Sequence, residues 1–228
     1  MVRKKETEQE DQPKKRKTTS GPLRDKSRTM ARMVAAVGKV IQKKGYPGLN
    51  APNIATAAGV DKKLVWTYFG GVNKLVEEYI NQKDFWRLAE KGEIEDLLKE
   101  PEQIGKAEIG ALLQSQFEVL LKDKALQKII HWELGEKNKM LRALADKREE
   151  VGEGLFSLIM PEFENSAVDL RARIALIIGG TYYLALHAKA NGSMVCGIDV
   201  NEPEGKERIE STIKGLISEA YEKAGVSK

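Results

Sequence analysis

Between Asp25 and Lys44, the residues Met30, Met33, Val34, Val37, Val40 and Ile41 recur at three- and four-residue steps. That spacing puts them on one face of a helix, which turns once in about 3.6 residues. Gly45, Pro47 and Gly48 break helical backbone geometry and end the segment. A second, short helix is expected from Ala51 to Ala58, burying Ile54, Ala55 and Ala58. Asn50 suits its N-cap, because the side-chain oxygen can accept from the unpaired amides of the first turn. Pro52 sits in that turn, where a missing N–H costs nothing. After Gly59 and Val60, Asp61 is the expected N-cap of a third helix running from Lys62 to about Phe69. Two short helices joined by a glycine turn at this spacing make a helix-turn-helix. Small Ala55 lets the helices cross closely, and Gly59 can take the left-handed conformation that the turn requires.

Beyond Val72 the pattern is helix after helix. One long helix is predicted over 72–91, and others over 102–122, 124–138, 139–160, 167–191 and 204–224. Pro101, Pro161 and the Gly192–Pro203 loop separate them, and strand-like runs of Val, Ile and Thr are missing. The fold class is therefore all-α: a three-helix helix-turn-helix domain over 23–71, then a helical bundle over 72–228. Residues 1–22, polar and ending in Ser20-Gly21-Pro22, read as a disordered arm with a basic cluster at Lys14, Lys15, Arg16 and Lys17.

Charge adds a partner to this picture. Residues 1–80 hold 17 Lys and Arg against 8 Asp and Glu, a net +9, while 81–228 hold 21 against 26, a net −5. Ten of the basic residues lie in 21–80, against four acids, so the arm alone does not explain the excess. Such asymmetry marks a polyanion-binding end joined to a different module.

Other classes recede. Cys196 is the one cysteine, which excludes an intrachain disulfide and a multi-cysteine zinc site. No apolar segment follows the charged N-terminus, and the uncharged stretch 174–188 is short of the roughly 20 residues a membrane span needs. A cytoplasmic location is expected. GxSxG, P-loop and HExxH motifs are missing, and Gly152-Glu153-Gly154 lacks the third glycine and preceding strand of a nucleotide fingerprint. No enzyme activity, cofactor or metal is expected. A small-molecule or metal enzyme in the C-terminal bundle and a protein-interaction scaffold stay open as alternatives.

The run of Ile54-Ala55, Ala58-Gly59-Val60, Lys62, Val65-Trp66 and Tyr68-Phe69, followed by Leu75, resembles the DNA-binding domain of the tetracycline-repressor (TetR) family over about residues 28–78. Val65 and Phe69, four apart, should face the core with Val60 below them. Lys62, Lys63, Trp66 and Thr67 then lie on the outer side of a helix narrow enough for a major groove. The resemblance puts Trp66 where the family usually has a phosphate-contacting tyrosine, and Tyr68 at a further contact position. Asn50, Asp61, Lys62, Lys63, Trp66, Thr67 and Tyr68 are the expected DNA-binding residues. Three positions depart from the family pattern: Val72 replaces a common lysine, Pro52 a polar residue, and Leu64 a small or polar one.

The resemblance further implies a transcription regulator, by family habit a repressor of a double-stranded operator, released by a small-molecule effector. It implies a homodimer paired through 167–191 and 204–224, where Leu170, Ile174, Ile177, Ile178, Thr181, Leu184 and Ala185 form an apolar strip. An effector pocket is then expected in the bundle, with Trp86, Phe117, His131, Trp132, Tyr182, Tyr183 and His187 as lining candidates.

Overall fold

The computed structural model describes residues 22–85, 89 and 92–227. Their regular structure is helical, apart from an isolated antiparallel bridge between Val195 and Ile198. The expected arm falls almost wholly outside the described residues, as does Trp86. Helix α1 spans Pro22–Lys44, α2 Ala51–Ala58, α3 Lys63–Phe69 and α4 Val72–Asn81. Further on come α5 (Glu93–Lys99), α6 (Lys106–Lys122), α7 (Lys124–Gly135), α8 (Lys139–Ile159), α9 (Leu170–Asn191) and α10 (Pro203–Ala224).

Two apolar cores organise these helices. Met33 and Val37 of α1, Ile54 of α2, Val65 of α3 and Leu75 of α4 are fully buried in the first. The three-residue and four-residue spacing of α1 thus becomes a contact surface for the three short helices. α4, at the start of the 72–228 segment, buries Leu75, Val76, Tyr79 and Ile80 in this N-terminal core. Ile129 and Trp132 of α7 and Leu141 and Leu144 of α8 close the same core from the other side. The second core centres on Phe117 of α6, with Ile174 and Ile177 of α9 and Ile213, Ile217 and Tyr221 of α10 around it. Gly205 opens α10 beneath the preceding loop: a Cβ there would lie 1.9 Å from the Asp199 carbonyl oxygen, so only glycine permits that approach.

The expectation of one continuous helix over 72–91 is corrected. α4 stops at Asn81, and the chain turns through Gln82 and Lys83. Asp84, only 1% exposed, is carried inward onto Arg148 of α8. That ion pair has no signature in apolar periodicity, and it draws the chain off the helical path. α5 falls where no helix was expected. α7 ends three residues short of its predicted limit because Asn138 is needed elsewhere: its side chain accepts from Met140 N at 2.8 Å and Leu141 N at 3.3 Å, capping α8. Asp169 likewise starts α9 by accepting from Ala172 N at 2.9 Å.

Tyr221 gives a test of the second core. Its ring is fully buried edge-on against Phe163, and its hydroxyl has no hydrogen-bond partner among the described residues. Burial, with Glu162 and Glu108 adding, pushes its pKa up to about 12. A buried hydroxyl without a partner costs about 1–3 kcal/mol, so Tyr221→Phe is expected to stabilise the protein by about 1 kcal/mol at neutral pH. Unfolded tyrosine ionises near 10, whereas the folded chain holds this proton to about 12. Stability present below pH 10 is therefore lost as pH rises through that interval, by about 1.4 kcal/mol per unit for this group. Urea unfolding at pH 8 and pH 11 should show the advantage of Tyr221→Phe widening with pH.

Candidate functional site

The turn between α2 and α3 is held by short polar contacts. Asn50 has extended backbone, and its Oδ1 accepts from Asn53 N at 3.0 Å. Lys44 Nζ donates to Asn53 Oδ1 at 2.6 Å, and Asn53 Nδ2 donates to the Gly48 carbonyl at 2.9 Å, tying α2 to the end of α1. Gly59 takes the left-handed conformation at φ 65°, ψ 45°, and Val60 N donates back to the Ala55 carbonyl at 3.0 Å. Arg32 of α1 donates from Nη2 to the carbonyls of Ala58 (2.6 Å) and Gly59 (3.1 Å). A guanidinium at a helix C-terminus meets unpaired carbonyls and the negative end of the dipole. Arg32 thus sets the exit of α2, a role that its place in a basic helix did not reveal.

Asp61 Oδ1 accepts from Lys63 N at 2.7 Å and so closes the first turn of α3. Val65 is fully buried beneath that helix, while Trp66 is 55% exposed. Lys62, Lys63 and Thr67 are exposed beside Trp66, and the Thr67 hydroxyl donates back to the Lys63 carbonyl at 3.1 Å. Tyr68 is half-buried, with the Lys26 ammonium 5.4 Å from its ring centroid. Phe69 and Leu64 are half-buried against the core. The outer flank of α3 therefore carries two ammonium groups, an indole N–H and a hydroxyl. Such a flank can neutralise phosphates and donate to base edges or backbone oxygens.

A cavity of about 490 Å³ opens between α6, α7, α8 and α9. Its wall is mostly apolar, from Leu112 and Leu113 of α6 through Leu155 and Ile159 of α8 to Ile174 and Ile178 of α9. Small residues make the space: Ala145 and Gly152 on α8 and Ala175 and Gly179 on α9 all line it. One end is polar. There Arg148 Nε donates to Asp84 Oδ2 at 2.7 Å and Nη1 donates to Glu133 Oε2 at 2.6 Å. Nη2 lies 2.5 Å from the same Asp84 oxygen but off hydrogen-bonding geometry. Burial works against the Arg148 charge, yet the Asp84 and Glu133 carboxylates outweigh it and hold the guanidinium above its ordinary pKa. Beside this network, Gln116 Nε2 donates to the Tyr182 hydroxyl at 3.0 Å.

Of the lining candidates expected from sequence, the structure brings Tyr182 to the cavity wall. Phe117 is fully buried in the second core, and His131 faces solvent. Trp132 lies in the first core, stacked on Tyr46 at 4.4 Å between centroids. Tyr183 is 58% exposed and stacks on His187 at 5.3 Å, away from the cavity. Arg148 and Glu133 line the cavity although neither belongs to the aromatic and histidine set expected from sequence. A signal did exist: Leu141, Leu144, Arg148, Leu155 and Ile159 follow helical spacing, which sets a guanidinium within an apolar stripe.

Neither protein-family models nor curated proteins give a match to this chain. Solved structures do. The chain is similar to the fatty acid degradation regulator FadR from Bacillus halodurans, at 18% identity and TM-score 0.57, over 81% of this chain and 97% of that one. It is similar to the transcriptional regulator FadR from Bacillus subtilis, solved in complex with stearoyl-CoA, at 17% identity and TM-score 0.59, over 82% and 97%. A TetR family transcription regulator from Marinobacter aquaeolei aligns at 14% identity and TM-score 0.56, over 85% and 97%. The chain has the all-helical fold of TetR-family transcription regulators.

Proposed function

We propose that this chain is a DNA-binding transcription regulator, a repressor that leaves its operator when a small apolar ligand fills the cavity. The observation that carries the reading is α3: Val65 is buried beneath it while Lys62, Lys63, Trp66 and Thr67 face outward. In this reading 23–71 meets DNA and 72–228 holds ligand and partner, with α4 packed into the DNA-reading core. Asn50 and Asp61 fix helix ends at the interface, and Tyr68 flanks it.

A homodimer fits the exposed side of α9 and α10. Apolar residues run all round α9: Ile174 and Ile177 turn inward, while Leu176 and Tyr183 are 78% and 58% exposed. Leu216 of α10 is 39% exposed, and a shallow groove with Gly180 and Leu184 in its lining joins the two helices. A helix apolar on every side is buried by something, and a second copy related by two-fold symmetry would let two α3 helices read two half-sites.

Coupling runs through α7 and α8. α7 sets Glu133 on the cavity wall and Ile129 and Trp132 in the N-terminal core. α8 does the same with Arg148 and Gly152 at the cavity and Leu141 and Leu144 in that core. Ligand that displaces these helices shifts the helix-turn-helix, and operator must weaken ligand by the same factor. In FadR of Bacillus subtilis the bound molecule is stearoyl-CoA, which supports an apolar chain as the kind of ligand such a bundle holds.

Selection of bound sequences from random duplex DNA tests the reading. A palindrome is expected, reporting operator and two-fold symmetry together. On that operator, Lys62→Ala and Lys63→Ala should each weaken binding and lower the salt slope by about one. No preferred duplex, or unchanged slopes in both variants, would remove α3 from a DNA interface and leave a scaffold in its place.

A further inference from the structure

A second cleft, of about 700 Å³, lies where α1 and α4 meet the junction of α6 and α7, and it shares no lining residue with the cavity between α6 and α9. Lys39 of α1, Lys83 just past α4, Lys122 at the end of α6 and Lys124 at the start of α7 stand around it. Asp123 is the one carboxylate among the described lining residues. Its Oδ1 accepts from Ala125 N at 2.7 Å and Leu126 N at 3.2 Å, so its charge is directed at the positive end of α7. Lys122 pairs with Glu118 at 3.1 Å. Lys39, Lys83 and Lys124 are exposed and make no ion pair with the described residues. The floor adds a donor. Tyr79 is only 6% exposed, yet its hydroxyl makes no hydrogen bond with the described residues. It lies over Gly38, another lining residue: a Cβ there would be 2.8 Å from the hydroxyl oxygen, so glycine leaves room for it. Burial, with Asp123 adding, raises the Tyr79 pKa, so the hydroxyl keeps its proton at neutral pH.

Ammonium groups gathered on a concave surface focus positive potential there, and each lysine serves a phosphate as a point charge. One exposed ammonium alone holds an anion weakly. An anion with several charges engages several ammoniums together, while one of its oxygens accepts from the Tyr79 hydroxyl. We propose that this cleft is a binding site for a small polyanion with two or more phosphoryl groups, free or carried on a nucleoside. Such an anion would tie α1 and α4, which share the N-terminal core, to the corner where α6 of the second core ends.

Titration calorimetry on the full chain at pH 7 and low salt tests this with tripolyphosphate, pyrophosphate, ADP and orthophosphate. Tripolyphosphate is expected to bind once per chain, roughly tenfold or more tighter than orthophosphate. ADP binding more tightly than pyrophosphate would identify a nucleotide as the occupant, and equal binding a bare phosphate chain; either upholds the site. Lys39→Ala and Lys83→Ala should each weaken tripolyphosphate by about two- to fivefold and flatten its salt dependence. Tyr79→Phe keeps the buried ring and loses only the donor, so it should weaken binding by about tenfold with the salt dependence unchanged. The double variant Lys62→Ala, Lys63→Ala removes the same kind of charge from α3 and should bind tripolyphosphate as the wild type does. Failure of tripolyphosphate to bind, binding no tighter than orthophosphate, or full binding by Tyr79→Phe or by both single lysine variants of the cleft overturns the proposal. So does loss of binding in the α3 double variant, which would place the anion on the α3 flank instead.

Discussion

Arg148→Met is expected to lower stability by about 3–5 kcal/mol, because it breaks a buried ion pair from one side only. The Arg148 side chain is 8% exposed and that of Asp84 is 1% exposed, so water cannot replace the lost guanidinium at Asp84. Methionine restores most of the volume, which separates the charge effect from a packing effect. Asp84→Asn in the Arg148→Met background should then recover a large part of the loss, since it removes the buried carboxylate charge that Arg148 balanced. Additive losses in the double variant would show that the two groups do not act as a pair. Urea unfolding of the three variants measures this directly. Asp84 follows α4, Glu133 belongs to α7 and Arg148 to α8, so the same experiment reports how firmly three segments are pinned to one another.

The N-terminal helices were readable because each depends on local chemistry. Asn50 caps α2, Gly59 takes the left-handed turn, and the spacing from Met33 to Ile41 needs only helical geometry to predict a buried face. α4 was misjudged in length because its end is decided 64 residues away, where Arg148 claims Asp84. The cavity was harder still. It exists because Ala145 and Gly152 on one helix face Ala175 and Gly179 on another across unfilled space. Small residues in helices also mark close packing, and only the placement of the helices tells the two apart. Large aromatics misled for the opposite reason: Phe117 fills space rather than borders it. The outer flank of α3 was legible down to single residues, since burial of Val65 leaves Lys62, Lys63, Trp66 and Thr67 no other side.

Trp132→Ala is expected to cost about 3–5 kcal/mol and, more tellingly, to disconnect ligand from operator. The indole is 7% exposed, stacks on Tyr46 at an interplanar angle of 11°, and donates from Nε1 to Glu136 Oε2 at 3.1 Å. Tyr46, in the link between α1 and α2, donates its hydroxyl to the Lys128 carbonyl of α7. Trp132 therefore joins the helix that carries Glu133 at the cavity to the segment that positions α2. Allosteric coupling is typically worth about 1–3 kcal/mol, so an effector should shift operator affinity of the wild type by about 5–150-fold. In Trp132→Ala, studied below its unfolding temperature, that shift should fall towards one while ligand and operator each still bind. Trp132→Phe keeps a stacking ring and loses only the indole donor, so it should retain most of the shift. Equal shifts in the alanine variant and the wild type would move the coupling route off α7. Loss of the response with both binding sites intact would place it at this stack, because no other term in the cycle has changed.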